Sequence, residues 1–326
     1  MRIWGFLVIA ICALHVNVFA ADECSTVDVR ESLPADVKTF MTTPSDQGDI
    51  GWCYGYTAAD IVSQAVGTPV SALHLSAYYS SQVTLLGKIG RGVVNKTTTP
   101  EGGMVSIAVK KMNELGHVCK ESDIPSKGTK EVQITSRTTV HNGMAYLMNR
   151  MKDIRKGTCN DLCQKSFDQL VEGFFPATPP ATMKKYLLAN RDVSLEDVVF
   201  YFLDSSCRSK SIRLRNDLDY KTWGKKTHPF DSINDQIDWL LNRRKLISME
   251  YDASEITDVG GIFGAGHAST IVGRKKIGNA CYYMVRNSWG TSCDYRKGII
   301  CLKEQGSYLV HENTMKSMAK KLVWID

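Results

Sequence analysis

The sequence predicts an α+β fold in two parts, helical towards the front and antiparallel β towards the end. Three observations predict it. Ile61, Val62 and Ala65 fall at helical spacing between a Gly-rich turn and Gly67. Far downstream, His267–Gly273 and Cys281–Asn287 read as two strands, the second running into a polar turn. The chain has 326 residues, 43% of them apolar, enough for one large domain or two modest ones around a buried core. That apolar fraction excludes a disordered chain, 25 Gly and 9 Pro exclude a collagen-like fibre, and 10 Cys are too sparse for a knottin-like scaffold.

In chain order, residues 1–20 read as an export signal. Arg2 supplies the positive charge, Trp4–Leu14 the apolar run, and Val18 and Ala20 the small residues before a cleavage site after Ala20. The run is short for a bilayer span and Asp22 and Glu23 follow it, so the mature chain is expected to be secreted, extracellular or periplasmic, with no transmembrane span. A retained signal anchor is the alternative. Removing Cys12 with the signal leaves nine cysteines, and in an oxidising compartment an odd count leaves one thiol unpaired. The pairing of the other eight is open.

Residues 21–125 are expected to form a helical domain that carries a nucleophile. Gln47-Gly48-Asp49-Ile50-Gly51-Trp52 delivers Cys53 to the first turn of a helix, where free N–H groups and the helix dipole favour a thiolate. The competing reading is a buried, inert core cysteine. Met104, Ile107, Ala108, Met112 and Leu115 read as one helical stripe before Gly116, so core burial competes with any role of Met104 at a cleft.

Residues 126–230 are basic, with 18 Lys and Arg against 11 Asp and Glu, and hold Cys159, Cys163 and Cys207. Helices are expected at 181–188 and 194–202, the second opening on a capping-box pattern from Ser194. Arg208, Lys210, Arg213 and Arg215 alternate with uncharged residues, as on a basic strand face that could meet an anionic partner; a solvated surface is the plainer reading. Residues 231–326 are expected to be β-rich, after a helix from Ser232 with Ile233, Ile237, Leu240 and Leu241 on one face. Adjacent antiparallel strands would set His267 beside Asn287, whose side chain could fix the imidazole tautomer.

Taken together these patches resemble the papain family of cysteine peptidases (C1-like). Gln47 stands six residues before Cys53, His267-Ala268 leads an apolar strand, and Asn287-Ser288-Trp289-Gly290 is similar to the family's asparagine motif. Leu33-Pro34, Leu75-Ser76, Gly102-Gly103 and the run Leu246–Ser254 fall in the family's order. About half the chain is covered, and 126–230 is a large insertion between the Cys and His motifs. The resemblance implies a helical domain and an antiparallel β-barrel-like domain with the cleft between them. It also implies a nucleophile at Cys53, its partner at His267, an orienting Asn287, and an oxyanion site from Gln47 and the Cys53 N–H. Trp289 would screen the Asn–His bond, and Gly102, Gly103, Met104, Val105 and Ala268 would bind substrate, with an apolar side chain preferred at P2, the second residue before the scissile bond.

Some positions depart from the pattern. Ile50 stands where the family has Cys, Tyr54 follows the nucleophile in place of Trp, and Glu101 replaces the Cys before Gly102. Only 32 residues separate Ala20 from Cys53, which leaves no room for a long inhibitory segment. The expected activity is endopeptidase action on a protein or peptide. The alternatives are a catalytically silent binding or adhesion module and a thiol transamidase or amidase. No metal-ligand cluster, phosphate-cradling loop or Cys-x-x-Cys is legible, so no cofactor, metal or nucleotide is expected.

Overall fold

In a computed structural model, which describes residues 24–48, 50–82, 102–126, 143–214, 218–223, 232–257 and 266–326, helices come first and the sheet last. The export signal, Glu101 and Arg215 lie outside the described residues. Strand β1 (Val27–Asp28) and helix α1 (Ala35–Thr42) lead to α2 (Cys53–Val66), buried on every side from Cys53 to Ser63. A helix covered all round belongs in a core. Gly67 ends it at φ 67°, a left-handed conformation that glycine adopts without a Cβ clash.

Helix α3 (Ala72–Ser81) is capped by Ser71, whose hydroxyl accepts the His74 N–H at 3.1 Å. It packs on α2 at Gly55, where a Cβ would collide with Ser76 Oγ. Gly55→Ala is therefore expected to cost about 1–3 kcal/mol of stability. A urea titration checks this, and adding Ser76→Gly should recover part of the loss.

Helix α4 (Val105–Leu115) buries Val105, Ala108, Val109 and Met112. The expected stripe holds at Ala108 and Met112 but not at its start, where Val105 and Val109 are buried in place of Met104 and Ile107. Met104 is the extended residue before the helix and is 46% exposed, and Ile107 also faces outward. The helix takes its phase from Val105.

Strand β2 (His117–Val118) precedes the helices of the insertion: α5 (Gly143–Lys156), α6 (Asp161–Phe174), α7 (Pro180–Ala189) and α8 (Leu195–Cys207). Pro180 opens α7, and Ser194 caps α8 by accepting the Asp197 N–H at 3.1 Å, as the sequence suggests. The insertion is fastened to the helical half. Asp204 on α8 sits 2.6 Å from His117 Nε2 and 3.4 Å from His74 Nε2, and Cys207 is bonded to Cys119.

The basic strand face is not formed. Arg208–Lys210 is a 3-10 turn continuing from α8, and only Ile212–Arg213 (β3) is extended, paired with β2. The turn breaks the two-residue alternation on which a charged face would depend.

The sheet takes strands from both ends of the chain. Strand β4 (Tyr220–Trp223) is followed by α9 (Ile233–Asn242), β5 (Ile247–Asp252), β6 (Gly266–Ile277), β7 (Ala280–Arg286), β8 (Ile300–Leu302), β9 (Ser307–His311), α10 (Glu312–Met318) and β10 (Lys321–Ile325). Their order is β4-β10-β5-β6-β7-β9-β8, with β1 also paired to β6, and every pairing is antiparallel. β4 thus joins the sheet although it precedes residue 231. The described residues hold disulfides Cys24–Cys281, Cys119–Cys207, Cys159–Cys163 and Cys293–Cys301, and Cys53 is the free thiol. No helix among them is long and apolar enough to cross a membrane.

Candidate active site

The cleft lies where the start of α2 meets the end of β5 and the beginning of β6, two interior strands of the sheet, and Gln47, Cys53, Gly102, Gly103, Glu250, His267, Ala268 and Trp289 line it. Its cavity is about 510 Å³. None of the described residues of 126–230 lines it.

Cys53 is the first residue of α2 and is almost wholly buried. Burial pushes its thiol up to about 11, against hydrogen bonds from the backbone N–H groups of Ala268, Tyr54 and Cys53 itself; the charge of Glu250 adds to the upward shift. Burial likewise drives His267 down to about 4, with the Asn287 hydrogen bond opposing it. Burial thus works against the thiolate that the helix terminus favours. Desolvation opposes the dipole at Cys53 and favours the uncharged form of both groups.

His267 and Asn287 come together as the two-strand reading expects. β6 and β7 are neighbours, and His267 Nε2 lies 2.8 Å from Asn287 Oδ1. An amide oxygen only accepts, so Nε2 carries the proton and Nδ1 keeps a lone pair. Asn287 Oδ1 also accepts from the Ser288 N–H at 2.9 Å and Ser269 Oγ at 3.2 Å, while its Nδ2 donates to Tyr295 Oη at 3.2 Å. Trp289 stacks over His267 with ring centroids 4.5 Å apart, and Tyr295 lies behind Trp289 at 6.3 Å. Tyr251, opposite His267 in the β5–β6 register, meets the imidazole edge-on.

Gln47 is tied to the same turn. Its N–H donates to the Ser288 carbonyl at 2.9 Å, and its Oε1 accepts from Ser288 Oγ. Its Nε2 donates one proton to the Ile50 carbonyl at 3.0 Å, which leaves a second for the cleft.

The expected substrate positions divide. Gly102, Gly103 and Ala268 border the cleft. A Cβ on Gly103 would come within 2.8 Å of the Tyr54 and Tyr79 rings, so that stretch of wall must be bare backbone. Val105 is completely buried in the helical half, and neither it nor Met104 lines the cleft, because α4 turns the chain away at Val105. Glu250, Ser269 and Tyr295 are the site residues that the motif reading missed. Glu250 reaches the cleft through strand pairing, which no local pattern encodes; the run Leu246–Ser254 was the one signal available.

No protein-family model and no curated protein matches the chain. Among solved structures it is similar to SERA5E from Plasmodium falciparum, at 12% identity over 93% of this chain and 96% of that one, with a TM-score of 0.48. Procathepsin B S9 from Trypanosoma congolense aligns at 13% identity over 92% and 76%, with a TM-score of 0.47. The bromelain protease from Ananas comosus aligns at 12% identity over 92% and 97%, with a TM-score of 0.43. The α+β class rests on the chain's own helices and antiparallel sheet.

Proposed function

We propose that the chain is a secreted cysteine endopeptidase that works through Cys53, His267 and Asn287. The observation that carries this reading is the meeting of the one free thiol among the described residues with an Asn-held imidazole in a single cleft. Cys53 Sγ attacks the peptide carbonyl carbon as its proton passes to His267 Nδ1. The carbonyl oxygen becomes an oxyanion, held by the Cys53 N–H and the second Gln47 Nε2 proton. His267 returns the proton to the leaving amine as the C–N bond breaks, leaving a thioester on Cys53. Water, deprotonated by His267, then hydrolyses the thioester to a carboxylic acid and the free thiol. Asn287 holds the imidazole in the tautomer that both steps need.

Residues 21–326, with disulfides formed, should hydrolyse a fluorogenic peptide mixture. Iodoacetamide should add once, at Cys53, and stop turnover in proportion. No alkylation at Cys53 would sink the reading. Alkylation without hydrolysis would favour a silent binding module, and amide exchange in place of a new carboxylate would favour a transamidase.

The acid limb of kcat/KM is expected at about pH 4, well below the ordinary imidazole range, because burial keeps His267 neutral. Neutral His267 is the proton acceptor, so activity persists as pH falls from 7 and fails only through about 4. The same depressed value makes the fold lose stability as pH falls below the unfolded histidine value of about 6.5. A pH–rate profile with enzyme stability monitored in parallel checks both.

A further inference from the structure

The cleft holds a carboxylate where the family resemblance implies an apolar pocket. Apart from His267, Glu250 is the one acidic or basic side chain lining it among the described residues. It sits on β5 opposite Ala268, one residue past His267 in the paired strand, and lines the cleft together with Gly102 and Gly103.

Its surroundings leave one oxygen for a ligand. Oε1 accepts the Val105 N–H at 2.9 Å and lies 3.8 Å from Lys321 Nζ, which itself donates to Ser106 Oγ at 2.7 Å. No hydrogen bond reaches Oε2 among the described residues, and the side chain is only 19% exposed. An apolar side chain packed here would strip water from Oε2 and give nothing back, whereas an ammonium or guanidinium would donate to it. Lys321 pairs with Glu250 on the Oε1 side, at 3.8 Å, while also donating to Ser106 Oγ, and such a ligand would meet Oε2.

We propose that Glu250 makes this cleft select Lys or Arg at P2. The inference rests on the peptidase reading for its numbering of substrate residues. An extended substrate whose P2 backbone runs along Gly103 turns its P2 side chain one way and its P1 and P3 side chains the other, so one side chain meets Glu250. The carboxylate also disfavours Leu or Val there, since specificity comes as much from the penalty on the wrong group as from the contact with the right one.

The test uses acetyl-Ala-Xaa-Gly coumarin amides with Xaa as Arg, Lys, Leu or Val. The wild-type protein should give kcat/KM at least tenfold higher for Arg and Lys than for Leu and Val. Glu250→Gln should bring that ratio close to one. Raising NaCl from 50 to 500 mM should shrink it in the unaltered protein, a readout independent of whether the variant folds. Binding of the same peptides to Cys53→Ala, which needs no turnover, separates the two ideas. Tenfold tighter binding of the Arg peptide without hydrolysis by the wild type would keep the cation selectivity and remove the peptidase reading. Equal or apolar-favouring turnover, or no Arg preference in binding when nothing is hydrolysed, would overturn the proposal.

Discussion

If the chain works as proposed, alanine at His267 is expected to lower kcat/KM for peptide hydrolysis by about 10⁴-fold, Cys53→Ala by a similar factor, and the double substitution by no more than either alone. The reason lies in the resting state of the pair. Burial favours the thiol form of Cys53, raised to about 11, and the neutral form of His267, lowered to about 4. Neither group is reactive by itself, because the thiol cannot attack until its proton has a destination and the imidazole has nothing else to activate. Removing one half removes the function of the other. A resting thiolate would behave differently: His267→Ala would leave it nucleophilic and cost mainly the protonation of the leaving amine. Steady-state kinetics on the two single variants and the double variant, with circular dichroism to confirm folding, decides between them. Losses that multiply would show that the two residues act independently.

The same pair shows what could be read from sequence and what could not. Cys53, His267 and Asn287 each stand at a locally encoded feature, a Gly-rich turn into a helix, the head of a strand and the polar end of the next. The pairing of β6 with β7 brings His267 to Asn287, and the cleft adds Cys53. The pairing of the other eight cysteines was open, yet the odd count pointed to one free thiol, and Cys53 is that thiol.

Where sequence reading fell short, the missing information was relational. Glu250 enters the cleft only because β5 pairs with β6 in the register that sets it opposite Ala268. Met104 and Val105 are placed at the cleft by the resemblance alone, whereas α4 begins at Val105 and buries it in the helical half, so neither lines the cavity. The protonation of the pair depends on burial, which a motif does not state. Helix α6 carried an overlooked signal. Asn160 caps it, accepting the Cys163 N–H at 3.0 Å, and Phe167, Leu170, Val171 and Phe174 form its buried stripe.

Replacing Arg286 with Met is expected to lower the stability of the fold by about 3–5 kcal/mol, the usual cost of stranding the partner of a buried ion pair. Arg286 ends β7, immediately before Asn287, and is 3% exposed. Its guanidinium lies 3.1 Å from Asp60 Oδ1 on α2 and donates to the carbonyls of Met41, Phe40 and Thr43 and to Ser45 Oγ. One side chain therefore ties the helix that begins at Cys53, the 40–45 segment and the strand that leads into Asn287. With Met in its place, Asp60 keeps the Thr270 hydroxyl at 2.7 Å as its one remaining charge-relieving contact among those described, and three carbonyls lose a donor. Asp60→Asn in the same background should recover part of the loss, because it removes the stranded charge. Urea unfolding of the wild type, both single variants and the pair measures the coupling. A coupling of 1 kcal/mol or more, in order of magnitude, would assign the strength of the joint to the ion pair. A coupling near zero would assign it to the carbonyls of residues 40–43, and the joint would then act by shaping the loop that leads to Gln47 and Cys53.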